Sequence, residues 1–323
     1  MTLILDAQLL YQPPTDVMRF LPEGPTSLES NQFSWVAIQH GPENRFGSLN
    51  LFDMSSQTNR SFILPGRPGF AKPTDVAGKF VVGAEHELAL FDIVTHKWTV
   101  FCDGIDQGVD NTTINDGYVF RDNIVFGTKD LEFKTRKAGL YLFRGRDNRL
   151  IKLLDDRGCS NGKAFIESAE CVRLLDIDSL LRQVVEYELD IDRGELVERR
   201  VVLDFTGQDA VPDGMTITAD HKSIIISFYN PTDVPFGETR QYDVETSQLM
   251  CIWRTPRSPQ ATCPALIKTT DGAVKLIITT AVEFMPAERR GRADQAGMIF
   301  VADTPFTEIA PQPRFPLSAI QHR

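Results

Sequence analysis

Four short triplets recur along this chain at nearly even steps: Glu23-Gly24-Pro25, Asn115-Asp116-Gly117, Ser160-Asn161-Gly162 and Pro212-Asp213-Gly214. Each sets an oxygen-bearing side chain beside a glycine, where the backbone can bend sharply. Asn115 and Asn161 are 46 residues apart, Asn161 and Asp213 are 52 apart, and Glu23 to Asn115 is 92, two steps of 46. A donor residue recurring once per step of about 50 residues marks a repeat architecture with one donor per repeat. Interpolation places two further slots near residues 69 and 263, at Arg67-Pro68-Gly69 and Ala261-Thr262-Cys263-Pro264. Neither carries a carboxylate, so a ligand held by these slots is gripped from one side and open on the other.

The segments between the triplets read as short strands. Ser34–Gln39, Ser48–Asp53, Lys79–Gly83, Asn123–Gly127 and Ser223–Phe228 are β-rich runs bounded by turn residues. Hairpins recur with the same step: Leu88–Asp92 with Trp98–Cys102, Gly139–Phe143 with Leu150–Leu154, Val184–Asp190 with Leu196–Asp204, and Thr239–Asp243 with Leu249–Arg254. Only Asp178–Gln183 hints at a helical turn. Dividing 323 residues by a step near 50 gives about six repeats of about four strands. The expected fold is all-β: a six-bladed β-propeller with four-stranded blades, one domain over residues 1–323, with a metal site in its central channel.

Composition narrows the partners. A net charge of −10 leaves no excess of Lys and Arg to neutralise phosphates, so nucleic acid is not expected. The densest basic run, Arg289-Arg290-Gly291-Arg292, reads as a solvated loop. No apolar run reaches the roughly 18 residues of a membrane span. There is no cationic n-region followed by an apolar h-region. Five scattered cysteines with no CxxC pair fit a reducing compartment, so the expected location is cytoplasmic. No strand–glycine loop–helix signal for nucleotides is present. His40, His86, His96, His221 and His322 are isolated and read as structural or surface residues.

Any one triplet alone is an ordinary turn signal. Four in register with the strand repeat point instead to a site. Two carboxylates and two amide carbonyls are hard oxygen donors. They suit calcium, magnesium or manganese, with iron or zinc as further candidates. Two negative charges balance a divalent ion and leave positions for water and substrate, as a catalytic site requires.

The same residues carry a family resemblance. Glu23-Gly24-Pro25, Asn115-Asp116-Gly117 followed by Gly127-Thr128, Ser160-Asn161-Gly162, Pro212-Asp213-Gly214, Thr262-Cys263-Pro264-Ala265 and Ala296-Gly297-Met298-Ile299-Phe300 appear in the order found in the SMP-30/gluconolactonase/LRE (regucalcin-like) family. The chain resembles that family from about Leu21 to about Phe315. The resemblance implies a six-bladed propeller binding one divalent metal ion, calcium first, with zinc, magnesium, manganese or iron as alternatives. It implies a lactonase that opens a sugar (aldono-) lactone, acting as a monomer or homodimer on a small molecule. Glu23, Asn161 and Asp213 match the family's metal ligands, and Asp213 its general base. Asn115 matches a substrate contact that in some members also reaches the metal, and Glu132 matches a glutamate that reaches sugar hydroxyls.

Two departures bear on substrate. Sugar lactonases of the family carry an arginine where this chain has Thr113, replacing a bidentate cation with a small hydroxyl. The family's GTM segment here reads Gly127-Thr128-Lys129-Asp130. Lys129 either restores a positive charge near the substrate or is a solvated loop lysine. Two other readings stand beside the lactonase. One is a phosphotriesterase-like hydrolase, for which Phe46, Phe70 and Phe236 are the aromatic residues that would line an apolar pocket. The other is a non-catalytic divalent-metal-binding propeller.

Overall fold

The computed structural model describes residues 2–320, so His322 lies outside the described residues. The chain forms two compact units, Met1–Pro65 with Phe205–Gln312, and Gly66–Asp204 with Pro313–Arg323. In the first unit, β1 (Leu3–Asp6) and β2 (Gln8–Tyr11) precede a sheet of β3 (Pro22–Ser27), β4 (Gln32–Ala37), β5 (Ser48–Asp53) and β6 (Thr58–Ile63). The second unit holds three sheets built the same way. They are β7 (Pro68–Pro73), β8 (Lys79–Ala84), β9 (Glu87–Asp92) and β10 (Lys97–Cys102); β11 (Thr112–Phe120), β12 (Asn123–Asp130), β13 (Ala138–Arg144) and β14 (Arg149–Arg157); and β15 (Ser160–Glu167), β16 (Val172–Asp178), β17 (Gln183–Asp190) and β18 (Glu195–Asp204). The chain then returns to the first unit with β19 (Val211–Ile217), β20 (Ser223–Tyr229), β21 (Phe236–Asp243) and β22 (Leu249–Pro256), followed by β23 (Ala261–Lys268), β24 (Val274–Thr280) and β25 (Ile299–Asp303). The last sheet is completed from the start of the chain by β2, antiparallel to β25, and β1 adds to β22 as a parallel fifth strand.

Sequence explains the order of strands within each sheet. The second strands are nearly continuous apolar runs, as in Ser-Ile-Ile-Ile-Ser-Phe-Tyr of β20, and are buried almost throughout. Strands covered on both faces read this way. Fourth strands such as β18, which opens Glu-Leu-Val-Glu-Arg-Arg, are more polar and more exposed. Each unit has its own core. Trp253 is fully buried in the first and donates its indole N–H to the Asp303 carbonyl at 3.0 Å. Phe126, Phe143 and Phe315 pack in the second.

The six leading strands share one irregularity. Ladder pairing breaks between Glu23 and Thr26, Pro68 and Phe70, Ile114 and Gly117, Ser160 and Lys163, Pro212 and Met215, and Ala261 and Pro264. The residues freed from the ladder are Gly24-Pro25, Asn115-Asp116, Asn161-Gly162 and Asp213-Gly214 of the four triplets, and Gly69 and Thr262-Cys263 of the two interpolated slots, while Glu23 is the last paired residue before its break. The triplets are therefore bulges inside strands and not the turns that their Gly, Asn and Pro content suggests. A bulge releases a residue from pairing and re-aims its side chain, which is why bulges gather at functional sites. In the second unit β11 packs between β7 and β15; in the first β23 packs between β3 and β19. Gly69 has no room for a side chain, because a Cβ there would lie 2.3 Å from the Asn115 carbonyl oxygen.

Three local expectations change, and His86 takes a structural place. No helical turn forms at Asp178–Gln183: β16 ends at Asp178 and β17 begins at Gln183, joined by a tight turn. The Asp178 carboxylate takes the Leu180 N–H at 3.1 Å and holds that turn. Arg289 is not solvated. It lies on the short helix α1 (Ala287–Arg290), is buried, and donates to the carbonyls of Pro231 and Thr232. His86 lies in the turn between β8 and β9, with its Nε2 2.7 Å from the Thr112 carbonyl. Phe70 is a buried core residue of β7, not the wall of an open apolar pocket.

Candidate functional site

The bulges of β11 and β15 bring two candidate amides together. Asn115 Nδ2 donates to Asn161 Oδ1 at 3.0 Å and to the Ser160 carbonyl at 3.2 Å, and lies 3.5 Å from Cys159 Sγ. Every partner of that nitrogen accepts, so the assignment of the Asn115 amide is chemically forced. Asn161 Nδ2 donates to Ser179 Oγ at 3.0 Å and lies 3.5 Å from Cys159 Sγ. With both its amide hydrogens turned toward Ser179 and Cys159, Asn161 presents its oxygen the other way. That oxygen has two lone pairs, one of which Asn115 uses.

A charged layer lies behind this pair. Lys163, with its side chain 1% exposed, donates from Nζ to the Asn161 carbonyl at 2.7 Å and to Ser160 Oγ at 2.9 Å. Asp176 neutralises it at 3.2 Å and accepts from Ser160 Oγ at 2.8 Å. Arg157 lies 3.8 Å from Asp176 and 3.5 Å from Asp178. Burial pushes the Asp116 carboxyl up, against the charges of Lys163, Lys72 and Lys129. Cys159, Lys163, Asp176 and Ser179 carry no motif, and sequence reasoning passed over them. The one available signal was Lys163, a lone charge beside the apolar run Ala164-Phe165-Ile166.

The substrate candidates are placed less uniformly. Thr113 and Lys129 are ladder partners on β11 and β12, and both are buried. Lys129 is thus a strand residue and not a solvated loop lysine. Its neighbour Thr128 holds the Gly139 N–H at 2.8 Å, and Lys129 itself bridges to Cys159. Thr113 Oγ1 donates to the Glu85 carbonyl at 3.4 Å. Glu132 lies in the exposed segment after β12, its carboxylate 3.3 Å from Lys134 Nζ.

In the first unit, Glu23 and Asp213 stand at the bulges of β3 and β19. The Glu23 carboxylate is buried and accepts its neighbour's Gly24 N–H at 2.6 Å. Asp213 is half-buried. Its charge is felt by Tyr229, whose hydroxyl is pushed well above its ordinary range first by burial, then by Glu283 and Asp213. Tyr229 spends its proton on the Glu283 carbonyl. Among the described residues no three His, Cys, Asp or Glu side chains group as a metal cage. Each unit carries hard oxygen donors at its bulges, the carboxylates of Glu23 and Asp213 in the first and the amides of Asn115 and Asn161 in the second. Oxygen donors of this type fit a hard divalent cation.

Gly127 of β12 packs directly on Ser160: a Cβ there would lie 2.3 Å from Ser160 Cβ and Oγ. Gly127→Ala is expected to push Ser160 away from Asn115 and Lys163. The cost is about 1–3 kcal/mol, as for other overpacked sites. Urea unfolding of the variant checks it; an unchanged midpoint would show that the contact yields freely.

The six sheets and their leading-strand bulges define a six-bladed β-propeller, a fold shared with solved structures. Regucalcin of Agrobacterium tumefaciens, described as a calcium-binding protein, superposes with a TM-score of 0.78 at 20% identity, covering 98% of each chain. The model of the SMP-30/gluconolactonase/LRE-like region matches residues 21–282, and the chain belongs to that family. Zebrafish (Danio rerio) regucalcin is 26% identical over 69% of this chain and 72% of its own length. An uncharacterized protein of Sulfolobus acidocaldarius is 31% identical over 48% of this chain, and that match spans about half of the relative, 52%. Among the described residues no helix is long and apolar enough to cross a membrane.

Proposed function

We propose that the protein is a metal-dependent hydrolase that opens a lactone ring, with a sugar lactone as the substrate class. The observation that carries this reading is the placement of Asn115, Asn161 and Asp213 on the interrupted part of a leading strand, with Glu23 at the edge of the interruption in β3. Together with membership in a gluconolactonase-like family, this makes them the candidate donors. Glu23, Asn161 and Asp213 would hold the ion; calcium suits their oxygens, and the regucalcin of A. tumefaciens is described as calcium-binding. When bound, such an ion supplies Lewis-acid polarisation of the lactone carbonyl.

The chain's own residues do the rest. Asp213 takes a proton from the water whose oxygen bonds to the carbonyl carbon. The ring C–O bond then breaks, and that proton passes to the leaving ring oxygen, giving a hydroxy acid. Asn115 orients the ring from the face of Asn161, with Thr113 and Lys129 beside it on the β11–β12 ladder. Glu132 reaches ring hydroxyls only by leaving Lys134. The buried Phe70 withdraws one aromatic wall from the phosphotriester reading.

The test is a pH-stat assay of aldonolactones and a phosphotriester on chelator-treated protein, with calcium, magnesium, manganese or zinc restored singly. Lactone opening that depends on an added ion is the expected result. Folded protein that opens no lactone with any of the four ions would sink the proposal.

A further inference from the structure

We propose that Lys163 and Ser179 are positioning residues for Asn161, fixing it as a donor from behind the site; this rests on reading Asn161 as an ion ligand. Asn161 lies in the β15 bulge, where the ladder gives its carbonyl no strand partner. Lys163 Nζ takes that carbonyl at 2.7 Å, so an ammonium does the work of a missing strand. Ser179 acts on the side chain. It accepts one amide hydrogen at 3.0 Å and so sets which way Oδ1 points. Ser179 is itself held, since its N–H donates to the Cys159 carbonyl at 3.0 Å and the Asp178 carboxylate caps the turn that follows.

A stability argument separates this role from simple packing. A lysine with 1% side-chain exposure must shed its water, and a buried ion pair recovers that cost poorly. An apolar residue of similar length would pack there at least as well. A charge kept in such a place earns its position through geometry. Removing residues that orient a ligand from behind typically lowers metal affinity ten- to a hundredfold.

The double variant K163M/D176N removes both charges and leaves an amide oxygen at position 176 able to accept from Ser160. It is expected to bind calcium at least tenfold more weakly than wild type, read by calorimetry. The single variant S179A is expected to lose about tenfold in affinity. Exchange of the Asn161 side-chain amide protons with water, followed by 15N NMR, is expected to quicken in both. The proposal is overturned if both variants fold with calcium affinity within twofold of wild type and unchanged amide exchange. Should the double variant fail to fold, S179A decides by the same two readouts. Should wild type bind no calcium, magnesium, manganese or zinc, the ligand reading fails and amide exchange alone decides the positioning role: faster exchange supports it, unchanged exchange overturns it.

Discussion

Asp213→Asn is expected to fold normally and to lose lactone opening by about a thousandfold. General-base residues contribute roughly 10²–10⁴ in rate, and the amide keeps the shape of the carboxylate while removing its basicity. The variant also loses one of two anionic donors, so ion affinity falls as well. The rate must therefore be measured at saturating ion, with occupancy followed separately by calorimetry. Asp213 lies in the bulge of β19 next to Tyr229, which is in no position to replace it. The Tyr229 hydroxyl is committed to the Glu283 carbonyl, and burial keeps it protonated. Turnover within tenfold of wild type at full occupancy would remove Asp213 as the base.

The repeat and its slots were legible in the sequence, while the elements that hold the slots were not. The runs Ser48–Asp53, Asn123–Gly127 and Ser223–Phe228 announce strands because short apolar runs, alternating in the first and β-branched or aromatic in the other two, are bounded by turn residues, and the structure has strands there. The leading strands read as turns because Pro-Glu-Gly-Pro-Thr-Ser and Pro-Gly-Phe-Ala-Lys-Pro are poor strand sequences by composition. They are strands because the ladder skips Gly24-Pro25 in β3 and Gly69 in β7 and pairs on either side. Tertiary packing of β11 against β7 and β15 overrides local preference. Interpolation found the bulges at Gly69 and at Thr262-Cys263 because spacing in a repeat survives even where residue type does not. The layer of Lys163, Asp176 and Ser179 stayed hidden for a different reason. Its members come from β15, β16 and the turn after β16, so only the fold brings them to Asn161. Arg289 misled in the same way: a basic run looks solvated until a nearby loop offers it two carbonyls.

Asp130→Asn is expected to cost about 3 kcal/mol at neutral pH, since hydrogen bonds to a buried charge are worth roughly 1.5–3 kcal/mol each and leaving their donors unpaired costs more. Asp130 ends β12 fully buried, and its carboxylate organises the segment that carries Glu132. It accepts the N–H groups of Glu132 at 3.1 Å, Lys134 at 3.1 Å and Thr135 at 2.8 Å, and the Thr135 hydroxyl at 2.9 Å. Lys137 Nζ adds a charge at 3.1 Å. Burial alone would raise the carboxyl, but the donors of Glu132, Thr135 and Lys134 outweigh it and hold it well below the usual carboxylate range. An asparagine offers one oxygen in place of two and turns an NH₂ toward donors. Because the folded value is depressed, the stabilisation is fully present above the unfolded value of about 3.9 and is lost as pH falls toward the folded one. The gap between wild type and variant is therefore expected to narrow by about 1.4 kcal/mol per pH unit below that point. Urea unfolding at pH 7 and at about pH 3 reads both quantities. A gap that is already absent at pH 7, or that stays constant on acidification, would mean that Asp130 is not the ionised centre of this segment. If the gap behaves as expected, turnover of the variant at pH 7 then reports whether Glu132 needs an ordered segment to reach substrate.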